Sequence, residues 1–233
     1  VVEPLDQLYK DEARELGEKL GLPHHLVWRH PFPGPGLGVR ALCSDGDESV
    51  SGLETAQFEA QEIAVKCGLD LEILPLRSVG VQGDSRTYAH PAVVSGDSDW
   101  VTLEQLSTEL TNSFTSINRV IYLLGPKKRP TQVLKKGYLT RDRLDLLREA
   151  DALVMDALER HDLLHEVTQM PTVLVPLSSD GVQESIVLRP ISTDDFMTAR
   201  FSQLPRIFIQ EVCDGLLGLE GIEAVFYDIT HKP

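Results

Sequence analysis

Cysteine, aromatic residues and positive charge are all scarce in this sequence. Its 233 residues include 3 cysteines, 6% aromatic residues and 22 lysines and arginines against 36 aspartates and glutamates, a formal net charge of −14. A chain this acidic repels phosphodiester backbones and anionic membranes unless its few cations cluster, so we expect neither nucleic-acid nor membrane partners. Any phosphate that it binds must be held by a local group of cations.

Long hydrophobic runs and secretory features are also missing. No charged and then apolar leader opens the sequence, and no apolar run approaches the roughly 20 residues that cross a bilayer. Cys43, Cys67 and Cys213 lie far apart without a CxxC pair, which favours reduced thiols over a disulfide framework or a zinc site. We therefore expect a cytosolic protein without a structural metal.

No complete catalytic motif is present either. The sequence has no GxxxxGK[ST] loop, no HExxH and no GxSxG, and no cysteine and histidine stand at a spacing that indicates a nucleophile and its base. Gly34, Gly36 and Gly38 do not form a dinucleotide-binding turn, because prolines alternate with them and no strand pattern precedes them. The sequence thus predicts binding residues and no catalytic ones.

What the sequence does contain is an order of elements that occurs twice. Residues 43–130 and residues 131–233 each read as a helix, two strands, a second helix and a final strand. Short sequence patches recur in the same order in both segments, although chance similarity between amphipathic pieces is the alternative. We predict an α+β fold of two related copies of this helix–hairpin–helix–strand unit, with helices packed on one face of small sheets, as in a covalent pseudo-dimer. The predicted helices are 56–65, 103–110, 144–158 and 207–217, and the predicted strands are 71–76, 86–94, 119–124, 172–177, 185–190 and 222–229.

Two further segments precede these copies. Residues 3–20 have the apolar spacing of an amphipathic helix, which Gly21 and Pro23 end. Residues 29–42 are rich in proline and glycine and predict an irregular linker at a domain boundary.

The segment 77–88, with the sequence RSVGVQGDSRTY, is a candidate binding hairpin. Its glycines permit a tight turn between strands, while Arg77, Asp84 and Arg86 place charge at its ends and tip. Arginine is suited to phosphate or carboxylate, and aspartate accepts hydrogen bonds from ribose hydroxyls or base N–H groups. The alternative is a surface hairpin whose charged residues pair only with one another.

Other polar groups predict ordinary surface features. The acidic segment 193–198 lacks the spacing of a calcium loop and indicates a self-capped turn. The basic runs 127–129 and 135–136 are typical of solvated loops, and the histidine pairs have no carboxylate or cysteine at ligand spacing. Lys232, just past the last predicted strand, could hold an anion.

Several of these blocks together resemble the C-terminal part of glutamine-hydrolysing GMP synthases. They are RHPFPGPGL at 29–37, RSVGVQGDSRTY at 77–88, DFMT at 195–198 and YDITHKP at 227–233. The duplicated unit resembles the long, eukaryotic-like form of that family, in which an extra copy of the dimerisation subdomain is inserted. One departure is Ala224, which stands where the family commonly has an arginine, whereas the first copy keeps Arg119 at the corresponding place.

The resemblance implies a reaction whose chemical centres lie outside this chain. ATP, with Mg²⁺, adenylates xanthosine monophosphate (XMP), and ammonia from glutamine then displaces AMP to give GMP. The glutaminase nucleophile and the pyrophosphate loop belong to upstream domains of the family, so we expect this chain to be inactive by itself. Residues 1–28 resemble only the last helix of the ATP pyrophosphatase domain, followed by the linker 29–42 and by two dimerisation subdomains, 43–130 and 131–233.

The same resemblance implies which residues contact the substrate. Asp84, Gln169 and Lys232 match positions that bind XMP, and Arg77 and Arg86 are weaker candidates that could instead brace the hairpin. The implied partners are XMP, the upstream domains and a second copy of the chain in a homodimer. The alternative function is a purely structural dimerisation module without ligand contacts.

Overall fold

The structure is a computed structural model that describes residues 2–28, 30, 36–82, 85–126, 133–192 and 200–231. Residues Val1–Phe32 and Pro33–Pro233 form two compact units. No helix in the described ranges is both long enough and apolar enough to span a bilayer. The helices are α1 (Lys10–Lys19), α2 (His24–Val27), α3 (Glu54–Lys66), α4 (Trp100–Ser113), α5 (Arg141–Arg160) and α6 (Arg206–Leu217), with a 3-10 turn at Gly36–Arg40. The strands are β1 (Asp70–Ile73), β2 (Ser78–Gln82), β3 (Ser85–Ser95), β4 (Ile117–Gly125), β5 (Val133–Leu134), β6 (Thr172–Val175), β7 (Leu177–Ser178), β8 (Glu184–Leu188), β9 (Ile191–Ser192), β10 (Arg200–Phe201) and β11 (Ile222–Asp228).

The first unit contains α1 and α2. The helix predicted over 3–20 begins only at Lys10, because the Glu12 carboxylate accepts the backbone N–H of Tyr9 at 2.8 Å and so caps the helix there. Inside this unit, the Trp28 indole N–H donates to Glu18 at 2.5 Å.

One mixed sheet runs through the second unit. Its strands follow the order β1-β3-β4-β11-β8-β6, and β2 pairs with β3 beside this path. Within 43–130, β1 is antiparallel and β4 parallel to β3; within 131–233, β6 is antiparallel and β11 parallel to β8. The strands β4 and β11 pair antiparallel and join the two segments. The prediction that each copy forms its own small sheet is therefore wrong. The edges of β4 and β11, for which the sequence predicts no partner strand, pair with each other.

Two apolar layers cover the two faces of this sheet. Successive strand residues point to opposite faces, and in β11 the buried Val225 and Tyr227 join the core with α3, α4, α5 and α6. Ala224 and Phe226 belong to a second apolar cluster on the other face. The segments around Leu42 and Leu134 pack in that second cluster, and Leu42 also bonds to the backbone of β6. The α+β class is confirmed, and the helices α3 to α6 share one face of the sheet.

Helix boundaries in this unit have local causes. Asp99 caps α4 by accepting the backbone N–H of Thr102 at 2.8 Å, and this hydrogen bond is the main cause of the lowered pKa of Asp99. Thr140 caps α5 in the same way from the N–H of Arg143. Pro205 precedes α6. The first N–H groups of a helix have no partner within the helix, so a proline, which lacks this N–H, is favoured at that place.

Candidate functional site

Several strand ends meet at one edge of the sheet, here called the convergent end. β4 and β6 begin there, and β8 and β11 end there, as the registers Ile121 with Asp228 and Thr172 with Leu188 require. The hairpin of β2 and β3 extends from the same end. This geometry brings the beginning of β4, in segment 43–130, beside the end of β11, in segment 131–233.

A charged cluster of Arg119, Arg189 and Asp228 lies at the convergent end. Asp228 is 3% exposed, and its Oδ2 accepts from Arg189 Nε at 2.8 Å and also from Arg119. Its Oδ1 accepts the backbone N–H of Thr230 at 3.0 Å. The two guanidinium groups come from β4 and from the residue after β8, so this one carboxylate connects both segments of the chain.

Positive charge exceeds negative charge in this cluster. Burial alone would raise the pKa of Asp228, but Arg119, Arg189 and the bonds from Thr230 outweigh it, and its net pKa is lowered. Burial lowers the pKa of Arg189, and the neighbouring Arg119 lowers it further. Two guanidinium groups share one carboxylate, so the cluster can still attract an anion.

The cluster is also tied to the base of the β2–β3 hairpin. Arg119 donates a second hydrogen bond to the backbone carbonyl of Val79 at 2.9 Å. Its neighbour Asn118 donates to the carbonyl of Ser78 at 2.7 Å and accepts from the hydroxyl of that residue at 2.8 Å. Gly80 permits this approach, because a Cβ there would stand 2.8 Å from the Cβ of Asn118. Two consecutive side chains of β4 therefore hold the hairpin in place.

An open groove of about 390 Å³ lies on the sheet face that the helices leave uncovered. Its floor is apolar and includes Ile121 and Val187, whereas Arg77, Arg119 and Arg189 line it with positive charge. The groove can accept a molecule with an apolar or aromatic part and an anionic group.

A second cavity, of about 550 Å³, borders the convergent end on the helix side. Glu104, Arg200, Phe201 and His231 line it. His231 Nε2 lies 2.9 Å from Glu104 Oε1, and its ring stacks on Phe201 with centroids 5.1 Å apart. This pairing fixes the chain immediately before Lys232.

The predicted site residues fall partly outside the described ranges. Asp84 and Lys232 lie outside them, and of Arg86 only the backbone is described, paired with Val81 in the hairpin. Arg77 is exposed and lines the groove. Gln169 exchanges backbone hydrogen bonds with Ile191 at the convergent end. The acidic segment 193–198 and the basic run 127–129 also lie outside the described ranges.

Sequence reasoning missed the roles of Arg189 and Asp228. Asp228 follows a run of buried apolar residues in β11, and a carboxylate at the end of such a run is the one signal that could have indicated a buried ion pair. Arg189 carries no comparable signal, because its partner is 39 positions away.

The opposite end of the sheet carries a different buried ion pair. Glu184, at the start of β8, accepts from Arg143 Nε at 2.7 Å and from Nη2 of the same residue at 2.9 Å. Lys135 Nζ lies 3.3 Å from the same carboxylate, so its assignment to a solvated basic loop is wrong. A distant carboxylate attracts both cations, which spacing alone does not reveal.

In the part of the chain that the structure describes, the remaining chemically active side chains form no comparable site. The Glu211 carboxylate lies 2.7 Å from His161 Nε2, and this hydrogen bond is the main cause of the lowered pKa of Glu211. Within the described ranges, no three or more His, Cys, Asp and Glu side chains group in a way that could hold a metal ion.

Comparison with known proteins gives matches along the whole chain. The family model described as GMP synthase C terminal domain matches residues 156–233. A probable glutamine-hydrolysing GMP synthase of Leptospira interrogans is 40% identical over 237 residues, which cover all of this chain and 39% of that relative. The GMP synthase of Dictyostelium discoideum is 32% identical over 288 residues, with all of this chain and 39% of the relative covered.

The chain belongs to the GMP synthase family and corresponds to its C-terminal region. It spans about two fifths of the length of these curated relatives. The GMP synthase of Lacticaseibacillus rhamnosus is 41% identical over 150 residues and covers only 56% of this chain. The family model covers β6 to β11, and therefore includes Gln169, Arg189 and Asp228 but not the β2–β3 hairpin.

Proposed function

We propose that this chain is the C-terminal part of a GMP synthase and contributes contacts to XMP during its ATP-dependent amination to GMP. The similarity to GMP synthases along the entire chain carries this proposal. ATP, Mg²⁺ and glutamine act in the remaining domains of the enzyme, and residues 1–28 belong to the last helix of its ATP pyrophosphatase domain. The enzyme works in the cytosol, and this chain alone has no ligase activity.

The convergent end is the proposed nucleotide-binding region. The hairpin that carries Asp84 and Arg86 extends from this end, Gln169 pairs with Ile191 there, and Lys232 follows His231. Arg119 and Arg189 add an excess of positive charge in a chain that is otherwise strongly acidic. A nucleotide monophosphate needs only such a local group of cations.

We also propose that residues 43–130 and 131–233 are two copies of one dimerisation subdomain, which associate within a single chain. The strand pairing supports this proposal, because β3 and β8 have the same kinds of neighbours and β4 meets β11 antiparallel. An antiparallel pair of equivalent strands is what a two-fold axis between two identical subunits produces. Homodimerisation of the whole enzyme would then use another surface.

Calorimetric titration of the full-length ligase with XMP tests the proposed binding role. Lys232→Ala should weaken binding by roughly 10-fold or more, since it removes a charge-assisted contact to phosphate. Lys66→Ala, on exposed α3, is the matched control and should leave the affinity unchanged. Equal affinities of both variants and the wild type would remove Lys232 from the site.

A structural module without ligand contacts is the competing function, supported by the strand-mediated join of the two segments. Sedimentation and steady-state kinetics distinguish the two. If Asp84→Ala and Lys232→Ala both leave the XMP Michaelis constant unchanged while the assembly state is preserved, the structural function is correct.

A further inference from the structure

The two ends of the β4–β11 strand pair carry different residues. Tyr122 faces Tyr227, and the flanking pairs are Ile121 with Asp228 and Leu123 with Phe226. A rotation about the Tyr122–Tyr227 pair exchanges these flanking pairs, so residues separated by 105 positions are equivalent.

This equivalence shows what the opposite end has in place of the charged cluster. Asp228 corresponds to Leu123 in the strand register. Arg119 corresponds to Ala224 in the matching sequences INRVIY (117–122) and IEAVFY (222–227), and β11 has a register shift between Val225 and Phe226 before that position. Val94 lies beside Tyr122 as Leu188 lies beside Tyr227, so the residue equivalent to Arg189 is Ser95. The sheet therefore joins at one end with two arginines and an aspartate, and at the other with alanine, leucine and serine.

The unequal ends indicate that the charges are not needed for joining the two segments. Ala224 is fully buried and Leu123 is 7% exposed, so apolar side chains suffice at these equivalent positions of the join. The buried ion pair of Glu184 with Arg143 at that end lies within the second segment. Buried ion pairs are weak contributors to stability, because desolvation offsets most of their Coulomb attraction. A cluster kept at only one of two equivalent places has a purpose specific to that end.

We infer that Asp228 is a positioning residue for the nucleotide, which fixes Arg119 and Arg189 and through them the hairpin and the segment that carries Gln169. This inference rests on the proposed function.

Two paths of hydrogen bonds, both within the described residues, connect Asp228 to the hairpin and to the Gln169 segment. Arg119 donates one hydrogen bond to the Asp228 carboxylate and another to the carbonyl of Val79 in the hairpin. On the other side, Arg189 binds Asp228 through its side chain, and its backbone N–H donates to Pro171 at 3.0 Å. Pro171 is two residues beyond Gln169. Asp228 thereby sets the distance between the hairpin of the first segment and the Gln169 segment of the second.

A triple variant that copies the opposite end into the convergent end separates positioning from stability. Arg119→Ala, Arg189→Ser and Asp228→Leu together install the residues found at Ala224, Ser95 and Leu123. In the full-length ligase, we expect this variant to fold and to keep kcat within about twofold at saturating XMP. Its Michaelis constant for XMP should rise about tenfold or more, as expected when charge-assisted contacts are lost. An unchanged Michaelis constant in the folded variant would overturn the inference.

Single variants at Asp228 keep the test decisive if the triple variant does not fold. Asp228→Asn preserves the shape and removes the charge, and should raise the Michaelis constant for XMP; Asp228→Glu restores the charge and should recover part of the loss. Leu123→Ala at the opposite end is the matched control, which should lower stability without changing the Michaelis constant. Equal Michaelis constants of Asp228→Asn and the wild type would contradict the positioning role. A wild-type enzyme that XMP does not saturate would instead contradict the proposed function.

Discussion

Tyr122 and Tyr227 lie directly opposite each other at the centre of the antiparallel join between β4 and β11. Their hydroxyl groups have different surroundings. The hydroxyl of Tyr227 is buried, donates to the carbonyl of Ser202 and accepts the N–H of Leu204, whereas the hydroxyl of Tyr122 donates to the carbonyl of Gly96 at 2.8 Å near the surface. The two tyrosines thus form a pair in which the same substitution has different consequences.

Tyr227→Phe should lower the free energy of unfolding by roughly 1–3 kcal/mol, because it leaves a buried carbonyl without its donor. Tyr122→Phe should lower it by about 1 kcal/mol or less, since water can replace the lost hydroxyl. Urea denaturation monitored by circular dichroism measures both. Equal losses would show that the two hydroxyl groups are equally accessible to water.

Local patterns in the sequence predict the helices α3 to α6 and most strands of the mixed sheet, but not the short strands β5, β7, β9 and β10 or the long-range pairings. The apolar spacing around Leu147 and Val154 indicated α5, and the buried run Val225–Tyr227 indicated β11, each within a few residues of the observed bounds. The antiparallel contact of β4 with β11 could not be predicted, since either strand edge could have paired with another chain.

The candidate site shows the same division. The charge pattern of the hairpin identifies Arg77, and the resemblance identifies Gln169; both lie at or near the convergent end. The contact of Arg119 with Asp228 joins residues that are 109 positions apart. No periodicity reports such a pair, because it exists only once the two segments have formed one sheet.

Gly80→Ala should disturb the hairpin selectively. An added Cβ would lie 2.8 Å from the Cβ of Asn118 and 2.9 Å from the hydroxyl of Thr87, and neither atom is the far end of a flexible side chain. We expect a loss of about 1–3 kcal/mol in unfolding free energy and a raised Michaelis constant for XMP in the full-length ligase. Gly38→Ala is the control, since its Cβ would meet Leu139 at an ordinary 3.7 Å. Wild-type behaviour of Gly80→Ala would show that the hairpin base can shift freely.

Glu184→Gln should be among the most destabilising polar substitutions at the opposite end. Glu184 is 4% exposed and receives both nitrogens of the Arg143 fork and the Lys135 ammonium. Neutralising it leaves two cations without a counter-charge, which costs roughly 3–5 kcal/mol. Asp145→Asn, whose half-exposed carboxylate pairs with Arg148, should cost about 1 kcal/mol or less. Guanidinium denaturation compares the two, and similar losses would show that Glu184 is hydrated.

The cysteines should differ widely in reactivity. Burial, and then the neighbouring Asp214, raises the pKa of Cys213 to about 11, and its side chain is 3% exposed. Cys43 is exposed. At pH 8 we expect iodoacetamide to alkylate Cys43 well before Cys213, because the thiolate is the reactive form. Peptide mass spectrometry against time measures the order, with Cys43→Ser as the control that removes the fast site. Early alkylation of Cys213 would mean that α6 opens frequently.

Acid should remove the contribution of Asp228 to stability in a defined direction. Its pKa in the folded state is lowered below the value of about 3.9 expected for an unfolded chain. A carboxyl group whose pKa is lowered by folding contributes its full stabilisation at pH values above its unfolded-state pKa. This stabilisation is lost as the pH falls through its folded-state pKa. The difference in unfolding free energy between the wild type and Asp228→Asn should therefore be constant near neutral pH and shrink below about pH 4. Urea midpoints measured from pH 7 to pH 3 test this, and a difference that grows on acidification would show that Asp228 is protonated in the folded protein.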